Sequence, residues 1–154
     1  MKSFGIVAFC AVFTFAVSVP AVAAGPSGAM KAQYYALGVE MGFASVHSVA
    51  AANGRSVDNI RAMKALVVAD IFAIEPLATS IAQAGGPQMA PLNTADLDFV
   101  SQNAISITDA RNDFSNVSNS IVSARDGMTA SLSKTSPVDT NAYLLGVNIG
   151  IAEA

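Results

Sequence analysis

Residues 35–44 read Tyr-Ala-Leu-Gly-Val-Glu-Met-Gly-Phe-Ala, and residues 143–152 repeat the pattern as Tyr-Leu-Leu-Gly-Val-Asn-Ile-Gly-Ile-Ala. Each segment carries two glycines four residues apart, and such a pair opens a flat groove on a helix where a second backbone can approach closely. A glycine inside a helix costs about 1 kcal/mol relative to alanine, so a repeated pair indicates a packing purpose. The positions concerned are Gly38, Gly42, Gly146 and Gly150.

Three arrangements fit this repeat. In the first, the two helices cross each other inside one helical bundle. In the second, the grooves mediate association between copies of the chain. In the third, the chain is a duplication whose second unit stops early at Ala154. All three remain open at the level of the sequence, and self-association is the one on which the functional prediction below depends.

The glycine motif and the helices that follow it resemble the N-terminal dimerisation region of the secreted FKBP-type prolyl isomerases. In that region a short Tyr-x-x-Gly-x-x-x-Gly helix precedes a second helix and a long helical stalk. The resemblance covers residues 35–44 and the general layout, and the catalytic isomerase domain has no counterpart in this sequence. It implies assembly between copies.

The N-terminal segment has the layout of a secretory signal peptide. Lys2 precedes an apolar run over residues 4–19, and small residues follow at 21–24. We expect cleavage near Ala24 and a secreted or periplasmic mature protein, with a membrane anchor only if cleavage fails. Cleavage also removes Cys10, the only cysteine, which excludes disulfides, thiolate metal sites and cysteine nucleophiles from the mature chain.

Apolar periodicity and capping residues predict one all-α, four-helix bundle-like domain over residues 25–154. Pro76 lies within the second helix, and because proline removes a backbone donor we expect a kink or break near Ile74 or Glu75. In the third and longest helix, apolar residues recur every seven positions from Val100 onward, as in a coiled-coil seam. After a flexible lead-in at 25–28, the predicted helices cover about residues 29–52, 57–84, 94–133 and 139–154.

Composition and charge exclude several classes of partner. Loss of Lys2 with the leader leaves seven basic against eleven acidic residues, a net charge near −4, and the basic residues are scattered. Nucleic-acid binding is disfavoured because it needs clustered positive charge to neutralise phosphates. Electrostatic docking on anionic lipid is disfavoured for the same reason. The expected partners are a second copy or another extracytoplasmic protein.

The sequence offers little catalytic chemistry. His47 is the only histidine, and with Gln33 and Glu40 it forms a line spaced by seven residues along the first helix. Such a line faces solvent or a polar seam more often than a catalytic pocket. No nucleophile-elbow sequence accompanies the serines, so no Ser-His-Asp triad is supported. We therefore expect a protein that is not an enzyme and has no cofactor.

Metal binding has no better support, since no Glu-x-x-His pair is present. Asp109 and Asp113 lie one helical turn apart, but Arg111 and Arg125 are close enough to indicate ordinary ion pairs. Asp70 is less usual because apolar residues surround it on its helix face. If it is buried it needs a partner, and we expect Arg111, Arg125 or a tyrosine hydroxyl in that role.

Two functional hypotheses from different classes remain. The first is a non-enzymatic structural or interaction module that self-associates through the glycine grooves. The second is a binding protein for a small apolar ligand held between helices. The large side chains of the chain are as compatible with a plain core as with the lining of such a cavity. The candidate ligand-lining or core-lining residues are Tyr35, Phe43, Asp70, Phe72, Phe114 and Tyr143.

Overall fold

The computed structural model describes residues 26–100 and 105–154, and every regular element in these two ranges is a helix. The all-α prediction is therefore confirmed for the described residues. The predicted leader at 1–24, with Cys10, lies outside them. The five helices are α1 (Pro26–Ala52), α2 (Val57–Gln83), α3 (Ala95–Phe99), α4 (Ile107–Thr135) and α5 (Pro137–Glu153).

Capping residues explain where α2 and α5 begin. The Ser56 hydroxyl accepts a hydrogen bond from the Asn59 amide at 3.2 Å, which accounts for the start of α2 at the predicted position. Ser136 caps α5 in the same way and is followed by Pro137, whose fixed φ suits the first helical turn. The flexible lead-in predicted at 25–28 was wrong for its described part, because α1 already begins at Pro26.

The second helix ends as glycine-containing helices often do, but it does not break at its proline. Gly85 takes a φ of 84°, and the Gly86 amide donates to the Ile81 carbonyl at 2.9 Å, which closes the last turn. The break predicted near Ile74 or Glu75 is absent, since α2 is helical through Pro76. Both Pro76 and the residue whose carbonyl loses its donor, Phe72, lie on the exposed side, where water can satisfy that carbonyl.

The predicted single helix over residues 94–133 was wrong. The structure has the short α3 and, beginning at Ile107, the longer α4. Ser106 has extended backbone angles and accepts a hydrogen bond from the Asp109 amide at 3.1 Å. A serine that caps its neighbour's amide competes with helix continuity, which is why the helix restarts here. The seven-residue seam is confirmed within α4, where Phe114, Ile121 and Met128 are buried.

The helices are arranged around α1. It packs most extensively against α5 and also contacts α2 and α4, whereas α2 and α4 touch each other only slightly. The short α3 packs on α4. A central helix needs apolar residues on several sides, and the small residues of α1 meet that need. The large side chains that are fully buried are Leu37, Met41, Ile60, Val67, Ile74, Ile81, Val100, Phe114, Ile121, Met128, Leu132 and Tyr143.

Candidate functional site

The two glycine pairs face each other where α1 crosses α5. A methyl group built on Gly42 would lie 2.6 Å from the carbonyl oxygen of Val147. One built on Gly38 would overlap the Tyr143 carbonyl oxygen even more closely. The same holds in reverse for Gly146 against the Tyr35 carbonyl and for Gly150 against the Val39 carbonyl. The absence of four side chains thus allows the two backbones to meet directly.

This geometry places both grooves inside one chain, which is the first of the three arrangements that fit the repeat. Gly38, Gly42, Gly146 and Gly150 are all buried. A second copy has no access to these grooves while α1 and α5 remain paired. Any association between copies must therefore use another surface of this fold.

A polar seam lies between α1 and α2, where the line spaced by seven residues meets the second helix. The His47 Nδ1 atom lies 2.8 Å from Asp70 Oδ2, and the two side chains are 15% and 11% exposed. The Phe43 ring stacks on the imidazole with centroids 6.1 Å apart. Further along, Gln33 Nε2 donates to the Ser80 hydroxyl at 2.9 Å. The polar-seam interpretation of this line is confirmed for Gln33 and His47.

Burial governs the acid groups in this seam. Desolvation raises the pKa of the Asp70 carboxyl, even though the hydrogen bond and charge of His47 act in the opposite direction. The pKa of Glu40 is raised as well, chiefly by burial and further by the nearby Asp70. Gln33 Oε1 is a buried oxygen without a hydrogen-bond partner among the described residues. The seam therefore specifies how α1 and α2 pair more than it stabilises them.

The partner that the sequence predicted for Asp70 was wrong. Asp70 binds His47, while Arg111 Nε donates to the Gly54 carbonyl at 2.9 Å and Arg125 pairs with Asp126 at 3.0 Å. The tyrosine alternative is wrong as well, since the hydrogen bond of the Asp70 carboxyl is to His47, and the Tyr143 hydroxyl donates to the Arg125 carbonyl.

An imidazole–carboxylate pair can hold a proton, and the hydroxyl groups nearest to it in the chain are already hydrogen-bonded. The nearest serines on α1 are engaged in their own helix: Ser45 donates to the Met41 carbonyl at 2.7 Å and Ser48 to the Ser45 carbonyl at 3.2 Å. Within residues 26–100 and 105–154, no group of three or more His, Cys, Asp or Glu side chains converges on a point that could hold a metal ion.

The candidate ligand-lining residues separate into different environments. Phe114 and Tyr143 are completely buried in the core, and Tyr35 and Phe43 are half-buried on α1. Phe72 instead lines an open groove of about 410 Å³ between α2 and α3. A second open groove of about 480 Å³ has Val49, Arg125 and Ile151 among its walls. The structure does not bring the six residues together around one cavity.

A continuous apolar face runs along the outer side of α2. Seven residues between Ala62 and Pro76 form this face. At 100° per residue they fall within an arc of about 120° over four turns. No charged residue lies in that arc between Ala62 and Pro76. Phe72 is 71% exposed and Leu66 is 44% exposed. Only Ala73 is half-buried. We call this surface the outer α2 face, formed by Ala62, Ala65, Leu66, Ala69, Phe72, Ala73 and Pro76.

Sequence reasoning missed the outer α2 face because alanine in a helix indicates propensity as readily as packing. The signal that marks it is the placement of Leu66 and Phe72 among alanines on the side opposite the buried residues Ile60, Val67 and Ile74. An apolar helix with two apolar faces also has high overall hydropathy. Among the described residues, α2 is the helix long and apolar enough to cross a membrane, with a mean hydropathy of 1.7 over 18 residues.

Comparison with known proteins adds no relative to this geometry: no family model, curated protein or solved structure matches the chain significantly.

Proposed function

We propose that this protein is a secreted or periplasmic helical bundle that works by association with another macromolecule, not by catalysis. The outer α2 face is its docking surface. The single observation that carries this proposal is the exposure of Phe72 and Leu66 on a charge-free helix face. The predicted signal peptide supports the location.

Leaving the outer α2 face in water has an energetic cost. Exposed apolar side chains are normal when scattered, but a contiguous patch on one helix face marks an interaction site. Full burial of a phenylalanine or leucine side chain stabilises by about 1.5 to 3 kcal/mol. Phe72 and Leu66 are close enough along the helix to be covered by one partner element. A partner that covers the outer α2 face therefore buries both Phe72 and Leu66, and their burial stabilises the complex.

The glycine crossing supports this proposal indirectly. It explains the small-residue grooves as internal packing, so they no longer serve as the interface between molecules. Among the described helices α5 also exposes large apolar side chains, such as Leu145 and Ile151, but Asn141 and Asn148 lie between them, whereas the outer α2 face has no polar side chain. We therefore assign the docking function to the outer α2 face and not to the glycine grooves.

The alternative of a small apolar ligand between helices has less support. The side chains expected to line its site are either buried in the core, as Phe114 and Tyr143 are, or stand on the surface, as Phe72 does. The grooves at about 410 and 480 Å³ are open to solvent. A ligand of drug size is normally held in a concave site that buries most of its surface.

A protection experiment tests the docking function without knowledge of the partner. Ala65→Cys and Leu145→Cys are made in a Cys10→Ser chain, so that the introduced cysteine is the only thiol. Ala65 is exposed on the outer α2 face and its substitution leaves Leu66 and Phe72 in place, whereas Leu145 is 56% exposed on α5. The variants are labelled with a maleimide in the compartment where the protein resides. We expect slow labelling at position 65 and fast labelling at position 145. Equal rates at both positions would refute the proposal.

A further inference from the structure

We propose that the outer α2 face binds the same face of a second copy, with the two α2 helices antiparallel and a two-fold axis at Ala69. This inference rests on the proposed docking function and names its partner. A two-fold interface must be complementary to itself, because each residue meets the partner's copy of the position related by the axis. The outer α2 face has that property.

The large and small side chains of the face are distributed symmetrically about Ala69. Leu66 lies three residues before it and Phe72 three residues after it, Ala65 and Ala73 lie four residues away on either side, and Ala62 and Pro76 seven. In an antiparallel pair, each residue before Ala69 lies at the same height along the helix as the equally distant residue after it in the partner, and each flank of the face meets the same flank of the partner. At 100° per residue Leu66 and Ala73 lie on one flank and Ala65 and Phe72 on the other. Leu66 therefore packs against the partner's Ala73, and Phe72 against the partner's Ala65, so each large side chain meets a small one.

The sizes of these residues suit a close helix contact. Alanines at 65, 69 and 73 lie on three successive turns and let the two helices approach to about 8 Å, the short end of normal helix packing. At that distance the 71%-exposed Phe72 ring covers the partner's Ala65, and the partner's Phe72 makes the same contact on the other side of the axis. Both exposed anchors of the face are thereby buried in one arrangement.

The charged side chains in this part of α2 do not interrupt the contact. Lys64, Asp70 and Glu75 lie about 100° to 140° round the helix from Ala69, so they lie outside the face that meets the partner. The negative net charge and the lack of a basic cluster argue against an anionic lipid surface as occupant.

Cysteine cross-linking in the Cys10→Ser chain tests the axis. Ala69→Cys is expected to form a disulfide-linked dimer under mild oxidation, because position 69 meets its own copy. Ala62→Cys and Pro76→Cys lie near the centre line of the face, and each is about 21 Å along the axis from its own copy, beyond the reach of about 7 Å that a disulfide allows. Each should stay uncross-linked alone, and an equal mixture of the two should form the heterodimer. Leu145→Cys serves as the exposed control and should not cross-link.

A second measurement keeps the inference testable if a cysteine variant fails to fold. By sedimentation, Phe72→Ser should raise the dissociation constant of the dimer at least about 100-fold, since the ring is lost twice per dimer. Leu145→Ser should leave it unchanged.

Three results would overturn the inference. Cross-linking of Ala62→Cys and of Pro76→Cys each alone would indicate a parallel pair. A single-chain mass at all concentrations, with position 65 still protected in the maleimide experiment, would mean that the face is covered by another protein or by lipid. In that case the docking function stands and the second copy is wrong. A dimer whose affinity is insensitive to Phe72→Ser would place the interface elsewhere.

Discussion

Gly146→Ala and Gly127→Ala add the same methyl group to two glycines inside helices, and we expect opposite effects on stability. Gly146 lies at the α1–α5 crossing, where the new methyl would overlap the Tyr35 carbonyl oxygen. Gly127 lies in α4 with no atom within 4 Å of the methyl position. The pair therefore separates the cost of a blocked crossing from the gain in helix propensity.

The magnitude follows from the contact. Ordinary van der Waals contact begins at about 3.4 Å, so the α1 and α5 backbones must separate by roughly 1 Å, which forfeits much of their dispersion energy. A backbone carbonyl cannot rotate away as a side chain can, which places the cost at the upper end of overpacking, about 3 kcal/mol. Alanine's better helix propensity offsets about 1 kcal/mol. Gly146→Ala should therefore destabilise by about 2 kcal/mol.

Urea unfolding followed by circular dichroism measures both effects. With a denaturant slope of about 2 kcal/mol per molar, the midpoint of Gly146→Ala should fall by about 1 M. The midpoint of Gly127→Ala should rise by about 0.5 M, because only the propensity gain of about 1 kcal/mol applies. If Gly146→Ala is as stable as the unsubstituted protein while Gly127→Ala is stabilised, the direct backbone contact at the crossing is refuted.

Three further predictions concern other parts of the molecule. Burial raises the folded-state pKa of Glu40 and Asp70, so the folded protein binds more protons than the unfolded chain. Urea unfolding should therefore show stability falling as the pH rises from about 4 through those raised values. Glu40→Gln should flatten that fall, and an unchanged slope would contradict the assigned burial. Ser106→Ala should cost about 1 kcal/mol in thermal unfolding, since the Asp109 amide loses its cap, and no loss would argue against the helix start at Ile107. Intact mass spectrometry of the exported protein should show a chain without residues 1–24 and without a thiol; a full-length mass would contradict the predicted leader.

Local sequence patterns were sufficient for most helix boundaries. The capping serine at 56 and the glycines at 85 and 86 predict the limits of α2 correctly because caps act through neighbouring backbone groups. The same local logic could have located the break before Ile107, since Ser106 and Asp109 form a capping pair. The seven-residue apolar period outweighed that signal in the prediction of one long helix.

The candidate site was less predictable, because it depends on which helices become neighbours. The spacing of Gln33 and His47 indicates a polar line, but only the α1–α2 contact brings Asp70 within 2.8 Å of His47. Arg111 and Arg125 were equally reasonable partners by charge. A sequence specifies the hydrogen-bond donors and acceptors, but which of them pair depends on the tertiary structure, because His47 and Asp70 lie 23 residues apart in the chain.

The sequence by itself determined the helical class of the described residues, the capped start of α2 and the existence of two glycine pairs, because each of these depends on interactions within a few residues. Tertiary structure alone decided what the grooves contact. It pairs Gly38 and Gly42 with Gly146 and Gly150 inside one chain, since only small residues on both helices let two backbones meet. That pairing surrounds α1 and leaves the outer α2 face, with Phe72, exposed to solvent.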